Sequence, residues 1–393
     1  MSKYALVFGA SGVTGWSFVN EILNDYPEKN VWKRVHALTN RPLSQAQSQW
    51  PNDPRLEIVS GIDLLKGSQE DLEGTLEAEI SDISAVTHVY YLAYKADTDR
   101  QKELEEAITM LKRSTLAMDH LSPSLEFLVL QTGAKMYGCH LLENHPTDYL
   151  HVPHKESQPR LRQPYHDTLF YYPQLDWLAE YAKDKSWKWI DTRPDIIIGF
   201  VPNQNFYSLG VRKGTVMAIY LTLWRKVHGD KSEAPFPGTQ ASWKALTNDS
   251  SSDMIARQTL HLSLNPERVE SGTGYNVADG MTPSSWSKKW PALCSYFGLR
   301  GTGPSANPPE MRRFIKDNIA VWKELEREKG LQRGHADSEK TFPGFEYFLM
   351  TQFDFDRQYD MEKTYGTGFS EERDTLHAWG LVFDRMRKSK IIP

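Results

Sequence analysis

Three groups of residues in this chain have the types and spacing that a nucleotide-dependent redox reaction requires. The first is a glycine-rich turn close to residue 10, the second is Lys135, and the third is the pair Tyr171-Tyr172. Glycines allow a backbone to approach phosphate groups, whereas an ammonium or a phenol can hold and polarise an oxygen of a cofactor or substrate. Together they indicate hydride-transfer chemistry in which a side chain donates a hydrogen bond or a proton.

The glycine-rich turn is Gly9-Ala-Ser-Gly-Val-Thr-Gly15, which follows an apolar strand and opens a helix predicted from Trp16 to Tyr26. Its first glycine permits a tight turn, the second lets the backbone approach a pyrophosphate, and the third allows close helix packing. Three glycines at this spacing also occur by chance, so the strand–turn–helix context is what favours a ligand over a purely structural turn. We predict dinucleotide contacts from Gly9, Ser11, Gly12, Val13, Thr14 and Gly15.

Residues after the second and third strands bear on which dinucleotide is bound. The second strand ends at Asn40-Arg41. A cofactor without a 2′-phosphate usually meets an acidic residue here, whereas arginine accommodates the phosphate, so NADP(H) is favoured. Asp63 and Leu64 follow the third strand, where an acid contacts adenine or caps the loop, and the two interpretations are weighed equally.

The proton donor does not follow the usual Tyr-x-x-x-Lys spacing. That spacing occurs at residues 91/95, 181/185 and 359/363, but the first lies in a strand, the second near a helix end leading away from the cofactor, and the third far from the dinucleotide domain. Better candidates are Lys135, after the fifth strand, and a tyrosine of Phe170-Tyr171-Tyr172, at the start of the next helix. The field of a helix N-terminus would favour the anionic form of such a phenol.

The motifs Thr132-Gly-x-Lys135-x-Tyr137, Phe170-Tyr-Tyr172 and Arg193-Pro-x-x-Ile197-x-Gly-Phe200 carry a family resemblance. They resemble the progesterone 5β-reductase/iridoid synthase-like reductases, an atypical branch of the short-chain dehydrogenases. The resemblance continues through Trp243 to the C-terminal Lys390-Ile-Ile-Pro393 and so covers essentially the whole chain. It implies that Lys135 and Tyr172 are catalytic and that the chain reduces activated C=C bonds of enones and enals with NADPH.

The resemblance also guides the remaining site predictions. Pro173 replaces the acidic residue that follows Phe-Tyr-Tyr in plant members, and the residues around the substrate differ, so substrate identity is not implied. Further cofactor contacts are predicted from Thr132, Lys135, Tyr172, Pro194 and Ile197. Substrate contacts are predicted from Tyr94, Met136, Tyr137, Trp243, Tyr347 and Phe348.

The elements that must position these residues alternate between strands and helices. Six strands are predicted within 4–8, 35–39, 56–60, 87–92, 125–130 and 187–192, and a late one within 274–278. This order predicts a Rossmann-type α/β fold, a doubly wound parallel sheet as in extended short-chain dehydrogenases, with ligands at the carboxyl ends of its strands. The dinucleotide domain would cover 1–200, completed by about 240–280. A smaller, mostly helical substrate-binding lobe would combine 201–239 and 281–393.

Composition excludes several other classes of protein. The chain has 393 residues and a net charge of −5 with no basic block, which argues against nucleic-acid binding. Its two cysteines cannot build a disulfide framework or a four-thiolate zinc site, and the histidines at 140–154 lie in an irregular segment where no metal is expected. The longest apolar run is too short for a membrane helix and no secretory leader is visible, so a cytoplasmic protein is expected.

These observations predict an NADPH-dependent 1,4-reduction. Hydride would reach the β-carbon of the substrate, Tyr172 would hydrogen-bond the carbonyl oxygen, and Lys135 would hold cofactor hydroxyls or polarise the tyrosine. Three alternatives stay open: a carbonyl reductase or alcohol dehydrogenase, a reductive cyclase, and an NADP-binding sensor without turnover. The expected partner is a small molecule, and a homodimer is also left open.

Overall fold

The computed structural model describes residues 2–202, 209–337 and 345–393. Within these ranges the strands are β1 (Lys3–Phe8), β2 (Trp32–Thr39), β3 (Leu56–Ser60), β4 (His88–Tyr91), β5 (Phe127–Gln131), β6 (Lys188–Pro194), β7 (Ile197–Ile198), β8 (Glu233–Pro235), β9 (Ser250–Ser251), β10 (Thr273–Val277) and β11 (Arg300–Thr302).

The α-helices are α1 (Val13–Leu23), α2 (Gln45–Ser48), α3 (Gln69–Glu79), α4 (Arg100–Leu121), α5 (Tyr171–Tyr181), α6 (Leu209–His228), α7 (Gln240–Lys244), α8 (Ser252–Leu264), α9 (Trp286–Tyr296), α10 (Met311–Asp317), α11 (Ile319–Lys329), α12 (Phe345–Thr351), α13 (Glu362–Gly366) and α14 (Thr375–Lys388). None of the helices in these ranges combines the length and apolarity needed to cross a bilayer.

A parallel sheet of seven strands forms the centre of the molecule, in the order β10-β6-β5-β4-β1-β2-β3. The chain runs outward from β1 to β3 and then returns to place β4 on the other side of β1. Phe8 therefore pairs with Leu38 on one side and with Tyr91 on the other. Connections diverge between β1 and β4, and a crevice opens there at the carboxyl ends of the strands. The predicted fold class is confirmed.

Side chains of β1 alternate between two apolar layers because successive residues of a strand point to opposite faces. Ala5 and Val7 are fully buried in one layer with residues of α1 and α8. Leu6 and Phe8 are buried in the other layer, with residues of α3 and α4. Helices cover both faces of the sheet, which leaves its carboxyl edge as the place where polar loops converge.

The first helix begins earlier than the sequence predicted. The apolar pattern indicated a helix from Trp16 to Tyr26, whereas α1 spans Val13–Leu23. Gly12 is the N-cap and has extended backbone, so the helix starts inside the glycine turn. It ends before Asp25, which has a left-handed φ of 64°. The earlier start brings the free N–H groups of the first helical turn to the edge of the crevice.

The C-terminal part of the chain packs mainly as a helical core. Trp290, Trp322 and Trp379 are almost completely buried, so most of the aromatic enrichment serves packing. One ion pair connects this part to the end of β6, because Arg357 Nε lies 2.9 Å from Asp195 Oδ2 and both side chains are about 5% exposed. The loop that carries Arg357 is thereby held against the crevice.

Candidate active site

A cleft of about 1030 Å³ lies at the carboxyl ends of β1 to β6. The glycine turn forms one side of it, and the loops after β2 and β3 extend it toward the edge of the sheet. The loops after β4, β5 and β6 and the start of α5 close the opposite side. The predicted cofactor residues that line it are Gly9, Ser11, Gly12, Val13, Thr14, Gly15, Asn40, Arg41, Asp63, Leu64, Thr132, Lys135, Pro194 and Ile197.

The geometry of the turn requires glycine at its first and third positions. Gly9 has a φ of 80°, and a Cβ there would lie 2.8 Å from backbone atoms of Leu92 and Ala93 at the end of β4. A Cβ on Gly15 would lie 2.3 Å from the carbonyl oxygen of Gly9. The turn therefore packs against both β4 and its own helix, which fixes the direction of the helix N-terminus.

The cleft fits a dinucleotide at its pyrophosphate end. Gly12 provides no side-chain cap for α1, so the first N–H groups of this helix remain available to an anion. Nearby, Gln131 donates a hydrogen bond from Nε2 to Thr14 Oγ1 at 3.3 Å, but its Oε1 is buried and has no partner. A buried acceptor without a partner beside a glycine cradle is expected where a ligand completes the hydrogen bonding.

The loops after β2 and β3 provide polar groups at the far end of the cleft. Asn40 and Arg41 are exposed and line the cleft, where a guanidinium can reach a phosphate. Asp63 also lines the cleft, and its Oδ1 accepts a hydrogen bond from Leu65 N at 2.9 Å. The two interpretations of Asp63 are therefore compatible, because it caps its loop while facing the cleft.

Tyr171 and Tyr172, the first two residues of α5, point in different directions, and the structure corrects the prediction for Tyr172. Tyr172 does not line the cleft; its side chain is fully buried, and its hydroxyl accepts a hydrogen bond from Leu161 N at 2.8 Å. Its ring stacks on His166 at 4.8 Å. Neighbouring residues of an α-helix point about 100° apart, so only Tyr171 enters the cleft.

Tyr171 brings a phenol to the centre of the cleft. A Cβ built on Gly133 would lie 3.5 Å from its hydroxyl oxygen, which places the hydroxyl beside the loop after β5. Burial raises the pKa of Tyr171, and the charges of Glu103 and Asp191 raise it further. These effects oppose the expected stabilisation of an anionic phenol by the helix N-terminus, and a phenol whose pKa is raised acts as a hydrogen-bond donor at neutral pH.

Lys135 lines the same cleft from the short 3₁₀ turn Ala134–Tyr137. Its ammonium lies 5.9 Å from the centre of the Phe170 ring, and Phe170 packs edge-on against Tyr171 at 4.7 Å. Burial lowers the pKa of Lys135, an effect that Glu103 opposes and Arg100 reinforces. The ammonium and the phenol thus face one space from two different elements.

Only one of the predicted substrate residues is found at the cleft with a described side chain. Tyr94 lines it, stacks on Phe170 at 5.6 Å and donates a hydrogen bond to Glu103. Met136 and Tyr137 instead line a second cavity of about 650 Å³. The Tyr137 hydroxyl donates to Asn276 Oδ1 at 2.6 Å, because the tight turn after Lys135 directs this side chain away from the cleft.

The remaining substrate predictions also need correction. Trp243 lies outside the cleft and packs on Phe236 at 5.1 Å, because α7 belongs to the C-terminal helical packing. Tyr347 is 52% exposed and does not line the cleft either. The side chain of Phe348 lies outside the described residues. The apolar wall is formed by other residues: Cys139, Leu142, Phe170, Ile196 and Phe353.

His140 is a cleft residue that the sequence patterns did not predict, because the histidines at 140–154 were considered only as metal ligands. His140 lines the cleft, five residues after Lys135. Its place in the loop after β5 was the signal available, because that loop already carried the lysine motif. In the part of the chain that the structure describes, no three potential metal-ligating side chains come together.

The Tyr-x-x-x-Lys pair Tyr181/Lys185, at and just after the end of α5, has a structural partner away from the cleft. Tyr181 donates to Asp119 Oδ2 at 2.7 Å, and Lys185 binds the same oxygen at 2.6 Å. Neither residue lines the cleft. The spacing here places two side chains against one carboxylate of α4, which joins the two helices.

Comparisons with known protein families, sequences and structures identify relatives of this chain. A family model described as a PRISE-like Rossmann-fold domain matches residues 5–393. The short chain dehydrogenase ausT of Aspergillus calidoustus is 35% identical, covering 100% of this chain and 95% of that protein. The 3-oxo-Delta(4,5)-steroid 5-beta-reductase of Arabidopsis thaliana is 27% identical, over 99% and 93%. The fold matches a GDP-mannoheptose C4 reductase from Campylobacter jejuni with a TM-score of 0.60 and 11% identity, over 98% of each chain.

Proposed function

The chain belongs to the PRISE-like Rossmann-fold family and is an NAD(P)-dependent oxidoreductase of the short-chain dehydrogenase/reductase type; we propose that it uses NADPH to reduce the activated C=C bond of an enone or enal. The observation that carries this proposal is that the phenol of Tyr171 lies in the same cleft as the glycine turn. A relative named as a 3-oxo-Delta(4,5)-steroid reductase supports the class of substrate.

Two groups of residues would bind different parts of the cofactor. Gly9, Gly12 and Gly15 would hold the pyrophosphate against the N-terminus of α1, and Arg41 would pair with the 2′-phosphate. Bound NADPH supplies a hydride to the β-carbon of the substrate. The Arg41 guanidinium is the group on which the preference for NADPH over NADH rests, because the cleft-lining residue before it, Asn40, is neutral.

Tyr171 would bind the carbonyl oxygen of the substrate. When hydride reaches the β-carbon, negative charge develops on this oxygen, and a donor already directed at it stabilises the enolate in the transition state. Burial raises the pKa of Tyr171, so the phenol would stay protonated. It would donate a hydrogen bond to the carbonyl oxygen without transferring its proton. A proton from solvent then completes the reaction at the α-carbon, and the net change is addition of hydride and proton across the C=C bond.

Lys135 would act beside Tyr171 and on the cofactor. Its ammonium faces the cleft from the loop after β5 and would hold hydroxyls of the bound dinucleotide. Its positive charge near Tyr171 also favours charge on the carbonyl oxygen. Apolar residues that line the cleft, including Phe170 and Phe353, would exclude water from the reacting atoms.

A donor on the carbonyl oxygen would serve carbonyl reduction equally well, so the test must locate the hydride. We expect NADPH carrying deuterium at the transferred position to label the β-carbon of a 2-enal and to yield the saturated aldehyde. The saturated aldehyde itself, as a matched control substrate, should not be consumed. Deuterium on the carbonyl carbon with an allylic alcohol as product would refute ene reduction. NADPH binding without consumption across linear enals, cyclic enones and steroid enones would favour the sensor instead.

A further inference from the structure

His140 is a polar side chain in the cleft wall that forms no hydrogen bond with the part of the chain that the structure describes. Its Nδ1 is buried without a hydrogen-bond partner, and within the described ranges neither ring nitrogen bonds to another residue. Cys139 and Leu142, which are close to His140 in the chain, line the same cleft with weakly polar or apolar side chains. Buried polar groups are almost always paired, so an unpaired imidazole in a ligand cleft indicates that the ligand supplies the partner.

Two other histidines of this segment, His145 and His154, do have hydrogen-bond partners. His145 Nδ1 lies 3.3 Å from the carbonyl oxygen of Gly138, and its ring stacks on Phe355 at 4.3 Å. His154 Nδ1 lies 3.0 Å from Gln158 Oε1. Neither of them lines the cleft. Of these three histidines, the one that faces the cleft is therefore also the one without a partner.

The electrostatic surroundings keep the imidazole of His140 neutral. Burial lowers its pKa to about 4, and the positive charges of Lys135 and Arg100, with the ring of His145, act in the same direction. A neutral imidazole carries one N–H donor and one acceptor nitrogen. Nδ1 is the buried nitrogen, so Nε2 is the nitrogen that a ligand in the cleft would reach, as a donor or as an acceptor according to the tautomer.

We propose that His140 binds a second oxygen of the substrate, a hydroxyl or carbonyl distinct from the carbonyl at Tyr171, and so selects oxygenated enones and enals over their hydrocarbon analogues. This inference rests on the proposed function and adds the class of substrate. His140 would be a specificity-determining residue that contacts the part of the substrate away from the reacting bond.

Two observations favour a separate oxygen. Tyr171 reaches the cleft from α5 and His140 from the loop after β5, and no hydrogen bond or ring contact joins the two. Apolar side chains also line the cleft, among them Leu142 and Phe353. A polar group set among apolar residues fixes the orientation of a ligand that has a matching oxygen, and it penalises a ligand that has none.

The test compares 2-enals of about six to ten carbons with the same 2-enals carrying a terminal hydroxyl. For at least one chain length we expect the protein to prefer the hydroxylated compound by about 10–100-fold in kcat/KM, as one well-placed hydrogen bond in a dry site allows. His140→Leu should abolish this preference, and His140→Gln, which keeps a donor and an acceptor, should retain most of it. His151→Leu changes an exposed histidine of the same segment and should leave the preference unchanged.

The outcomes separate this inference from the proposed function. Equal losses on both members of a pair would show that His140 has only a structural role, and an unchanged preference in His140→Leu would also overturn the inference. If the unaltered protein shows no preference for the hydroxylated 2-enals, the inference is also overturned. If no enal is reduced, equilibrium binding of the same pairs to the protein loaded with NADP⁺ still measures the preference, so ene reduction can fail while the role of His140 is supported or refuted.

Discussion

Separate replacement of Tyr171 and Tyr172 by phenylalanine should give opposite results in two assays. Each change removes one hydroxyl oxygen and keeps the ring, so helix propensity and packing volume are almost unchanged. In the structure, the Tyr171 hydroxyl faces the cleft, whereas the Tyr172 hydroxyl is a buried acceptor for Leu161 N. We therefore expect the first variant to lose activity and the second to lose stability.

The size of each effect can be worked out from these contacts. Loss of a hydrogen-bond donor to a developing oxyanion lowers kcat about 10²–10³-fold, which corresponds to ~2.7–4 kcal/mol. In Tyr171→Phe the free energy of unfolding should change by less than about 0.5 kcal/mol, because no hydrogen bond within the described ranges depends on that hydroxyl.

Tyr172→Phe should behave in the other way. Leu161 N donates to Tyr172 Oη at 2.8 Å, and both residues are at most 2% exposed. A buried N–H that loses its acceptor destabilises the protein by about 1–3 kcal/mol. The ring would keep its stacking on His166 and its contact with the Arg160 guanidinium, 4.9 Å from the ring centre, so the fold should persist.

Steady-state kinetics with a 2-enal and urea denaturation of the same preparations measure both quantities. We expect Tyr172→Phe to retain kcat within about threefold under conditions where it is folded. A 100-fold loss of kcat in Tyr172→Phe together with full activity in Tyr171→Phe would refute the geometric argument, and it would restore the assignment that the sequence motif suggested.

Three further changes test other parts of the molecule. Gly15→Ala should raise the Kd for NADP⁺ at least about tenfold, because the new Cβ would lie 2.3 Å from the Gly9 carbonyl oxygen. Gly74→Ala is the control, because a Cβ at that position meets no atom within 4 Å. Calorimetry should find an unchanged Kd for Gly74→Ala and a gain in stability of about 0.5–1 kcal/mol. Arg41→Ala should raise the Kd for NADP⁺ about tenfold and that for NAD⁺ less than about twofold, and equal losses would contradict the 2′-phosphate assignment. Burial and the charge of Asp249 raise the pKa of Asp279 to about 7. Because the pKa of Asp279 is higher in the folded than in the unfolded protein, the stability that its protonated form contributes at low pH is lost as the pH rises through about 7. Thermal denaturation of Asp279→Asn should therefore show a smaller loss of stability as the pH rises than the unaltered protein shows. Parallel curves of stability against pH for the two proteins would contradict this cause.

Much of the fold could be predicted from local patterns. The strands from Lys3–Phe8 to Lys188–Pro194 agree with the predicted apolar runs to within about three residues, because each is a short β-branched or aromatic run between turns. The start of α1 was predicted too late, since Gly12 serves as its N-cap and has no side-chain signal. The roles of Trp290 and Trp322 as core residues depended on which helices pack together, which a single sequence does not show.

The candidate site was predictable where a backbone conformation requires a residue type. The glycine turn is an example, because only glycine fits the φ of 80° at Gly9 and the close approach at Gly15. Substrate residues were not predictable in the same way. Met136 and Tyr137 stand beside Lys135 in the sequence but face another cavity, and Phe353 enters the cleft from more than 200 positions further along the chain.

By itself, then, the sequence determined the class of fold, the dinucleotide turn and the loop that carries Lys135, because each depends on local conformation and on periodicity. Only the tertiary structure decided which tyrosine faces the cleft and that His140 lines it without a partner. The physical reason is rotational: successive residues of α5 differ in direction by about 100°, and the side that meets the cleft is set by how the helix packs on the sheet. That packing depends on contacts made by distant parts of the chain, so it could not be predicted from the motif Phe170-Tyr171-Tyr172 alone.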